Sequence, residues 1–426
     1  MSKNKIIELR TPAENESSDT LTELLRTGAR KLIAQAVEVE IENYLSSSNE
    51  VLAGNKLRLV RNGYLPEREI LTGIGAVSVK VPRIRDRGDG DKQQFKSALI
   101  PPYMRRSATL NETLPVLYLK GISEAAFVEA LEPIFGAGAK NLSPGVISNL
   151  KKAWEDECTQ WGQRSLVGSR YVYWWVDGVG FTVRGDERRC VLVIVGVNLL
   201  GKKELIALED GFRESTESWL SVLRNLKARG LNAPTLAVGD GALGFWGAVA
   251  QVYPSTQHQR CWFHKMGNVL DKLPKSQQVR AKSMLHEIWM SATRADAYKA
   301  FDAFVEEYGA KYPKATECLQ KDKKELLTFY DFPAEHWVHL RTTNPIESTF
   351  ATVRQRTYKA KGAFSSKTVL AMTFKLMQSA QKRWRTLCGF HHLDNVIQGV
   401  KFKDGKMEAT KSSLVNDNNE HLKEAA

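Results

Sequence analysis

The run Tyr171-Val-Tyr-Trp-Trp-Val-Asp-Gly178, followed by Arg189-Cys-Val-Leu-Val-Ile-Val-Gly-Val197 and Glu204-Leu-Ile-Ala-Leu208, decides the fold. Each segment is short and rich in β-branched or aromatic residues, the composition of strands buried on one or both faces. Asn198-Leu-Leu-Gly201 supplies a turn between the second and third. Downstream the pattern alternates. Ser215 or Thr216 caps a helix through Leu226, Leu236–Val238 read as a buried fourth strand, Ala242–Val252 as a helix, and Thr256–Arg260 as a short strand.

Residues 265–340 turn charged and helical, and Asn344-Pro-Ile-Glu347 reads as the opening of a further helix. The order β-β-β-α-β-α-β-α is that of a ribonuclease-H-like α/β core with a mixed sheet, here interrupted by an all-α insertion. On this reading 166–264 hold the first part of the core, 265–341 the insertion and 342–401 the final helices. Upstream, 1–50 form a polar tail and a helix from Thr20, with Leu21, Leu24, Leu25, Leu32 and Ala36 as its apolar face. Residues 51–106 form a small β-rich segment, in which Arg68–Thr72 and Val77–Val81 flank Gly73-Ile-Gly-Ala76. Residues 107–165 read as three helices resembling a helix-turn-helix. On the third of these, Ile147, Leu150 and Trp154 face inward, and Ser148, Asn149, Lys151 and Lys152 face a groove of DNA. A plain helical bundle is the competing reading. The 402–426 tail is polar and expected to lack structure.

The formal net charge is +13, from 61 Lys+Arg against 48 Asp+Glu. A polyanion, and first of all nucleic acid, is the partner this balance suits. Five scattered cysteines without a C-x-x-C pair argue against a disulfide framework and for a reducing compartment. The N-terminus has no apolar signal core and no stretch is long enough to span a bilayer, so the expected location is cytoplasmic and nucleoid-associated.

Against that basic background three acids stand out. Asp177 ends the first strand, Asp240 follows the fourth, and Glu347 lies in the first turn of a late helix. If the first and fourth strands are neighbours, the three carboxylates meet and hold two Mg²⁺ ions, with Mn²⁺ able to substitute and Asp177 bridging both. That is the equipment of phosphoryl transfer. Taken singly, Asp177-Gly178 and Asp240-Gly241 also read as turn pairs, and Glu347 as a complement to its helix dipole. Their matching topological positions carry the metal reading. Arg354, Arg356, Lys359 and Lys361 extend a positive surface from Glu347, and Arg83 and Arg85 alternate along an extended segment suited to phosphates. Cys261-Trp-Phe-His264 offers half of a tetrahedral zinc site that His336-x-x-His339 would have to complete, and packing is the simpler role. Trp262 reads as core, with stacking on a base as the alternative.

These motifs resemble the bacterial mutator-type insertion-sequence transposases. The resemblance rests on Arg61-Asn-Gly-Tyr64, Val79-Lys-Val-Pro-Arg83, Val176-Asp-Gly178, Gln259-Arg-Cys-Trp-Phe-His-Lys265 and Thr342-Thr-Asn-Pro-Ile-Glu-Ser348. It implies Asp177, Asp240 and Glu347 as catalytic acids and Cys261 with His264 as the family's C/D-x-x-H element. It also implies binding of terminal inverted repeats and target DNA, cleavage at the element's ends and joining of a 3′-hydroxyl. A copied-out circular intermediate and a homodimer or higher multimer on DNA are expected with it. One departure is Asp240-Gly-Ala242, where many relatives carry Asp-Ala-His. A ribonuclease-H-like nuclease or resolvase, and a non-catalytic DNA-binding derivative, are the competing functions.

Overall fold

The computed structural model describes residues 20–408 apart from 49, 53–54, 90, 121, 123–128, 133–143, 183–187, 212, 242–243 and 360–364. At 120, 144, 146–147, 345 and 356–359 it describes the backbone alone. The chain divides into two compact units, Met1–Leu150 and Lys151–Ala426.

In the first unit, α1 (Thr20–Ser47) packs on a hairpin of β2 (Arg68–Thr72) and β3 (Gly75–Val79), whose ends pair Thr72 with Gly75. Val77, Val79 and Val81 alternate inward, as their spacing predicts, and meet Val37, Ile70 and Ile100 with Ile33 alongside. The face of α1 differs from expectation. Val37 and Ile41 are buried, whereas Leu24 and Leu32 are 68% and 67% exposed and Leu21 and Leu25 are also exposed. The hairpin is five residues per strand and covers only the stripe through Ile33 and Val37, leaving the leucines of the first turns outside it. A second ribbon joins β1 (Leu59–Tyr64) and β4 (Pro82–Asp86) antiparallel, and α2 (Ala108–Lys120) follows. The middle helix expected between 107 and 165 falls mostly outside the described residues. The third is α3 (Pro144–Gly162), within which the division between the units falls.

The second unit is built on a five-stranded mixed sheet. Its strands are β5 (Tyr171–Thr182), β6 (Arg188–Asn198), β7 (Lys203–Gly211), β8 (Leu236–Gly239) and β9 (Gln257–Arg260), in the order β9-β8-β5-β6-β7. β8 runs parallel to both β5 and β9, and β6 and β7 are antiparallel additions. β5 therefore occupies the centre with β8 beside it. Alternation along β5 sorts its side chains. Trp174 and Val176 join Leu192, Ile194, Trp219, Leu223, Phe245 and Val249 beneath α4 (Thr216–Ala228) and α5 (Phe245–Val252). Tyr173, Trp175 and Asp177 have the opposite parity and turn to the other face. There β5 is packed by α10 (Asn344–Lys359) and β7 by α11 (Ser366–Gln381). Both faces are covered, which explains why 171–176 read as a continuous apolar run rather than an alternating one.

Between β9 and α10 the chain is helical: α6 (Trp262–Leu270), α7 (Lys275–Met290), α8 (Arg294–Gly309) and α9 (Pro313–Gln320), then short turns. Trp262 is fully buried, its Nε1–H donating to Leu326 O at 2.8 Å, so it is core. Part of the expected unstructured tail is ordered. Phe402–Lys403 and Lys406–Met407 pair as a small hairpin with Phe402 buried, because one large apolar side chain suffices to anchor it. No described helix is long and apolar enough to cross a membrane.

Candidate active site

Asp177 is not at a strand end. β5 continues to Thr182, paired there with β6 alone, because β8 stops at Gly239. The carboxyl nevertheless lies where pairing with β8 gives out. The last β5–β8 pair is Trp175 with Val238, and the same register carried two residues further sets Asp240 level with Asp177. Asp177 is only 6% exposed and accepts an amide bond from Gly178 N at 2.8 Å. Burial pushes its carboxyl up to about 7. Glu214 and Glu347 add to that rise, while His264 and the Gly178 amide oppose it.

The loop carrying Asp240 is fixed through its backbone. Asp240 O accepts from Trp246 Nε1 at 2.7 Å and from Arg260 Nη1 at 3.0 Å. Gly244 N donates to Glu214 O at 3.0 Å, and a Cβ at Gly244 would fall 2.3 Å from Thr216 N, so the loop after β8 lies directly on the loop before α4.

That contact brings in an acid that sequence reasoning missed. Glu214 precedes the Ser215 cap of α4. A Cβ at Gly178 would come within 2.2 Å of Glu214 Oε1, so the absent side chain at 178 lets this carboxylate lean against β5 beside Asp177. Burial raises Glu214 above the ordinary range; Cys190, whose thiol donates to it at 3.4 Å, lowers it, and Asp240 raises it further. The available signal was weak: one acid directly before a Ser-Thr cap, in the loop after the third strand.

Glu347 enters from the first turn of α10. Its Oε1 accepts from Thr343 Oγ1 at 2.6 Å and lies 3.7 Å from His264 Nδ1 and 3.9 Å from Cys261 Sγ. Cys261 is anchored in turn by Thr343, whose N donates to Sγ at 3.4 Å. The ligand atoms of Cys261, His264 and Glu347 lie within 4.8 Å of one another. His264 is raised to about 9, first by the Cys261 sulfur and then by Asp240 and Asp177, against the effect of burial. The C-x-x-H pair thus belongs to the acidic cluster.

Do these residues suit a divalent cation? His264 Nδ1 is buried without a hydrogen-bond partner among the described residues. Burial keeps the Asp177 carboxyl up near 7, Asp240 falls level with it on the neighbouring strand, and Glu347 meets His264 and Cys261 from α10. The carboxylate oxygens are donors that suit Mg²⁺ or Mn²⁺, while the group beside them whose ligand atoms lie within 4.8 Å of one another adds a thiol and an imidazole to Glu347. His336 and His339 do not complete a zinc site. Each His336 ring nitrogen is taken, by Tyr173 Oη and by Gly389 O, both at 2.8 Å. His339 Nε2 accepts from Cys388 N at 3.1 Å.

The basic residues picked out from sequence fall on several elements. Ser148, Asn149 and Lys152 are exposed on α3 and Lys151 is half-buried. Arg83 and Arg85 are exposed on β4, and Arg83 Nε donates to Asn62 O at 2.7 Å. Arg354 is exposed on α10, while the side chains of Arg356 and Lys359, and Lys361 altogether, lie outside the described residues.

Comparison with known proteins identifies the family. The family model described as "Transposase, Mutator family" matches residues 1–386. The chain is 53% identical over 288 residues to the transposase for insertion sequence element IST2 of Acidithiobacillus ferrooxidans, covering 65% of this chain and 94% of that protein. It is 50% identical over 299 residues to the transposase for insertion sequence element IS6120 of Mycolicibacterium smegmatis, covering 70% and 92%. A more distant relative, the transposase for insertion sequence element IS905 of Lactococcus lactis, is 28% identical over 80% of this chain and 84% of its own length.

Proposed function

The chain belongs to the Mutator family of transposases, and from that premise we propose that Asp177, Asp240 and Glu347 hold two Mg²⁺ ions on a ribonuclease-H-like core and carry out cleavage and joining at the ends of an insertion sequence. The single observation behind this reading is that Asp177 and Asp240 fall level on neighbouring β5 and β8 while Glu347 reaches His264, whose charge both aspartates favour. When bound, the ions would neutralise phosphate charge and activate a water or 3′-hydroxyl. The chain's own groups prepare the place. The Gly178 amide orients Asp177, Thr343 fixes Glu347 Oε1, and Arg260 with Trp246 pins the backbone of Asp240. Glu214 adds negative charge at the same spot, and His264 balances it. Cys261 acts as a packing partner that holds Thr343 and Glu347 in register.

Two element ends must be held together, so the working form contains at least two copies, and the exposed leucines of α1 offer apolar area for their association. The basic face of α3 supplies non-specific grip. Replacing Lys151 and Lys152 by alanine is expected to weaken binding of an element-end duplex and to shallow the log K against log[salt] slope by roughly two, one for each lysine that no longer neutralises a phosphate. An unchanged slope removes α3 from the interface.

The reaction itself is tested by incubating the full chain with a labelled element end and Mg²⁺. Nicked and joined products are expected, and none from Glu347→Gln, which keeps the shape of the side chain while removing its charge. Hydrolysis without joining would identify a nuclease instead, and end binding without either reaction a non-catalytic derivative.

A further inference from the structure

Beside the acidic cluster, on the same face of the sheet, lies a cavity of about 310 Å³ lined by Lys203, His339, Asn344, Arg383, Trp384 and Arg385, among others. Its position follows from the strand parity that directs Asp177. Trp175 precedes Asp177 by two residues on one face, roughly 7 Å along the strand. Trp175 Nε1 donates to His339 O at 2.8 Å, and Lys203 Nζ sits 5.5 Å from the Trp175 ring centre. Ser348, next to Glu347, also lines the cavity. The cavity therefore shares α10, which carries Glu347, with the acids.

Its chemistry is specific. Lys203 is 5% exposed, an unusual degree of burial for a lysine. Its Nζ is kept in place by Arg385 O at 2.6 Å. Neither Arg383 nor Arg385 pairs with a carboxylate among the described residues, and both are exposed. Trp384 contributes an indole whose Nε1–H is shut off from solvent and meets no acceptor among the described residues. Positive charge for a phosphate and an aromatic side chain for a base share one volume, at the small end of ligand-cavity sizes.

We propose that this cavity takes a single unpaired nucleotide of the DNA next to the bond being cut, its phosphate on Arg383 and Arg385 and its base against Trp384. The inference rests on the functional reading above, since it makes the cavity a holder for the strand whose scissile phosphate lies at the acids. Paired DNA keeps its bases stacked internally and presents only phosphates, so the cavity selects a frayed or single-stranded end.

The test is photo-crosslinking of the full chain, with Ca²⁺ in place of Mg²⁺, to oligodeoxythymidylate carrying one 5-iododeoxyuridine, alongside the same strand fully paired. We expect the label on Trp384 with the single strand and not with the duplex. Trp384→Ala should weaken single-strand binding about tenfold or more, Trp384→Phe less, and Arg383→Ala with Arg385→Ala about tenfold, with circular dichroism unchanged. Label elsewhere, equal labelling of the duplex, or unchanged binding by both the Trp384→Ala and the double arginine variants overturns the proposal. If Trp384→Ala does not fold, the site of label on the unmodified chain and the arginine variants decide. Labelling at Trp384 by a protein that neither cuts nor joins would sink the transposition chemistry and leave the pocket standing. Cutting and joining without label there would sink the pocket alone.

Discussion

Asp177→Asn is expected to abolish cleavage and joining while making the metal-free protein more stable. The loss should be on the order of 10³-fold or more, the scale seen when a charge acting in the transition state is removed. The gain follows from the same burial. An aspartate in the unfolded chain releases its proton near the ordinary 3.8, but in the folded protein Asp177 keeps it up to about 7. Between those values the folded state binds more protons than the unfolded state, so stability falls as pH rises from about 4 to about 7 and stays lowered above. A shift of this size corresponds to about 4 kcal/mol as an upper bound. Asparagine has no proton to lose, so thermal unfolding in a chelator at pH 8 should show the variant more stable by about 2–4 kcal/mol. At pH 4 the two should coincide. Metal binding needs the ionised carboxyl, so Mn²⁺ affinity of the unmodified chain should climb with pH through about 7. A variant that is less stable at pH 8, or still joins DNA, contradicts the assignment.

Gly244→Ala should cost the most stability of any single methyl added at the site. The backbone φ of −61° at Gly244 suits alanine, so no torsional strain is involved. The obstacle is space: the new Cβ would lie 2.3 Å from Thr216 N, 2.4 Å from Ser215 C and 2.8 Å from Glu214 O, all main-chain atoms that cannot rotate away. Relief requires the loop after β8 to part from the loop before α4. That breaks the Gly244 N to Glu214 O bond and displaces Asp240 and Glu214 together. Overpacking of this kind costs about 2–3 kcal/mol, or roughly 5–10 °C in Tm for a unit of this size. Chemical denaturation measures the cost. A fall in activity larger than the unfolded fraction explains would reveal the displaced acids.

The strands were legible because burial on both faces demands long apolar β-branched and aromatic runs, and 171–176 and 191–195 are such runs. The end of β5 was not, because Gly178 and Gly180 imitate a turn while the backbone goes on pairing with β6. The neighbouring of β5 and β8, which sets Asp177 and Asp240 level, was readable from the order of strands and helices. Glu214 was hidden: a loop acid has no periodicity, and its place depends on how closely Gly178 and Gly244 let other segments approach. On α1 the leucine count misled, since the short hairpin touches Ile33 and Val37 instead. The Trp384 cavity draws on β7, the turn before α10 and the segment after α11, and no spacing rule joins pieces so far apart.

The central claim is that these carboxylates form one cation site. Electron paramagnetic resonance of Mn²⁺ bound to the full chain, loaded with an element-end duplex, measures it directly. The expected result is two Mn²⁺ per chain, spin-coupled, with the coupling gone in both Asp177→Asn and Glu347→Gln. Mn²⁺ bound equally well by the unmodified chain and by both variants would contradict it.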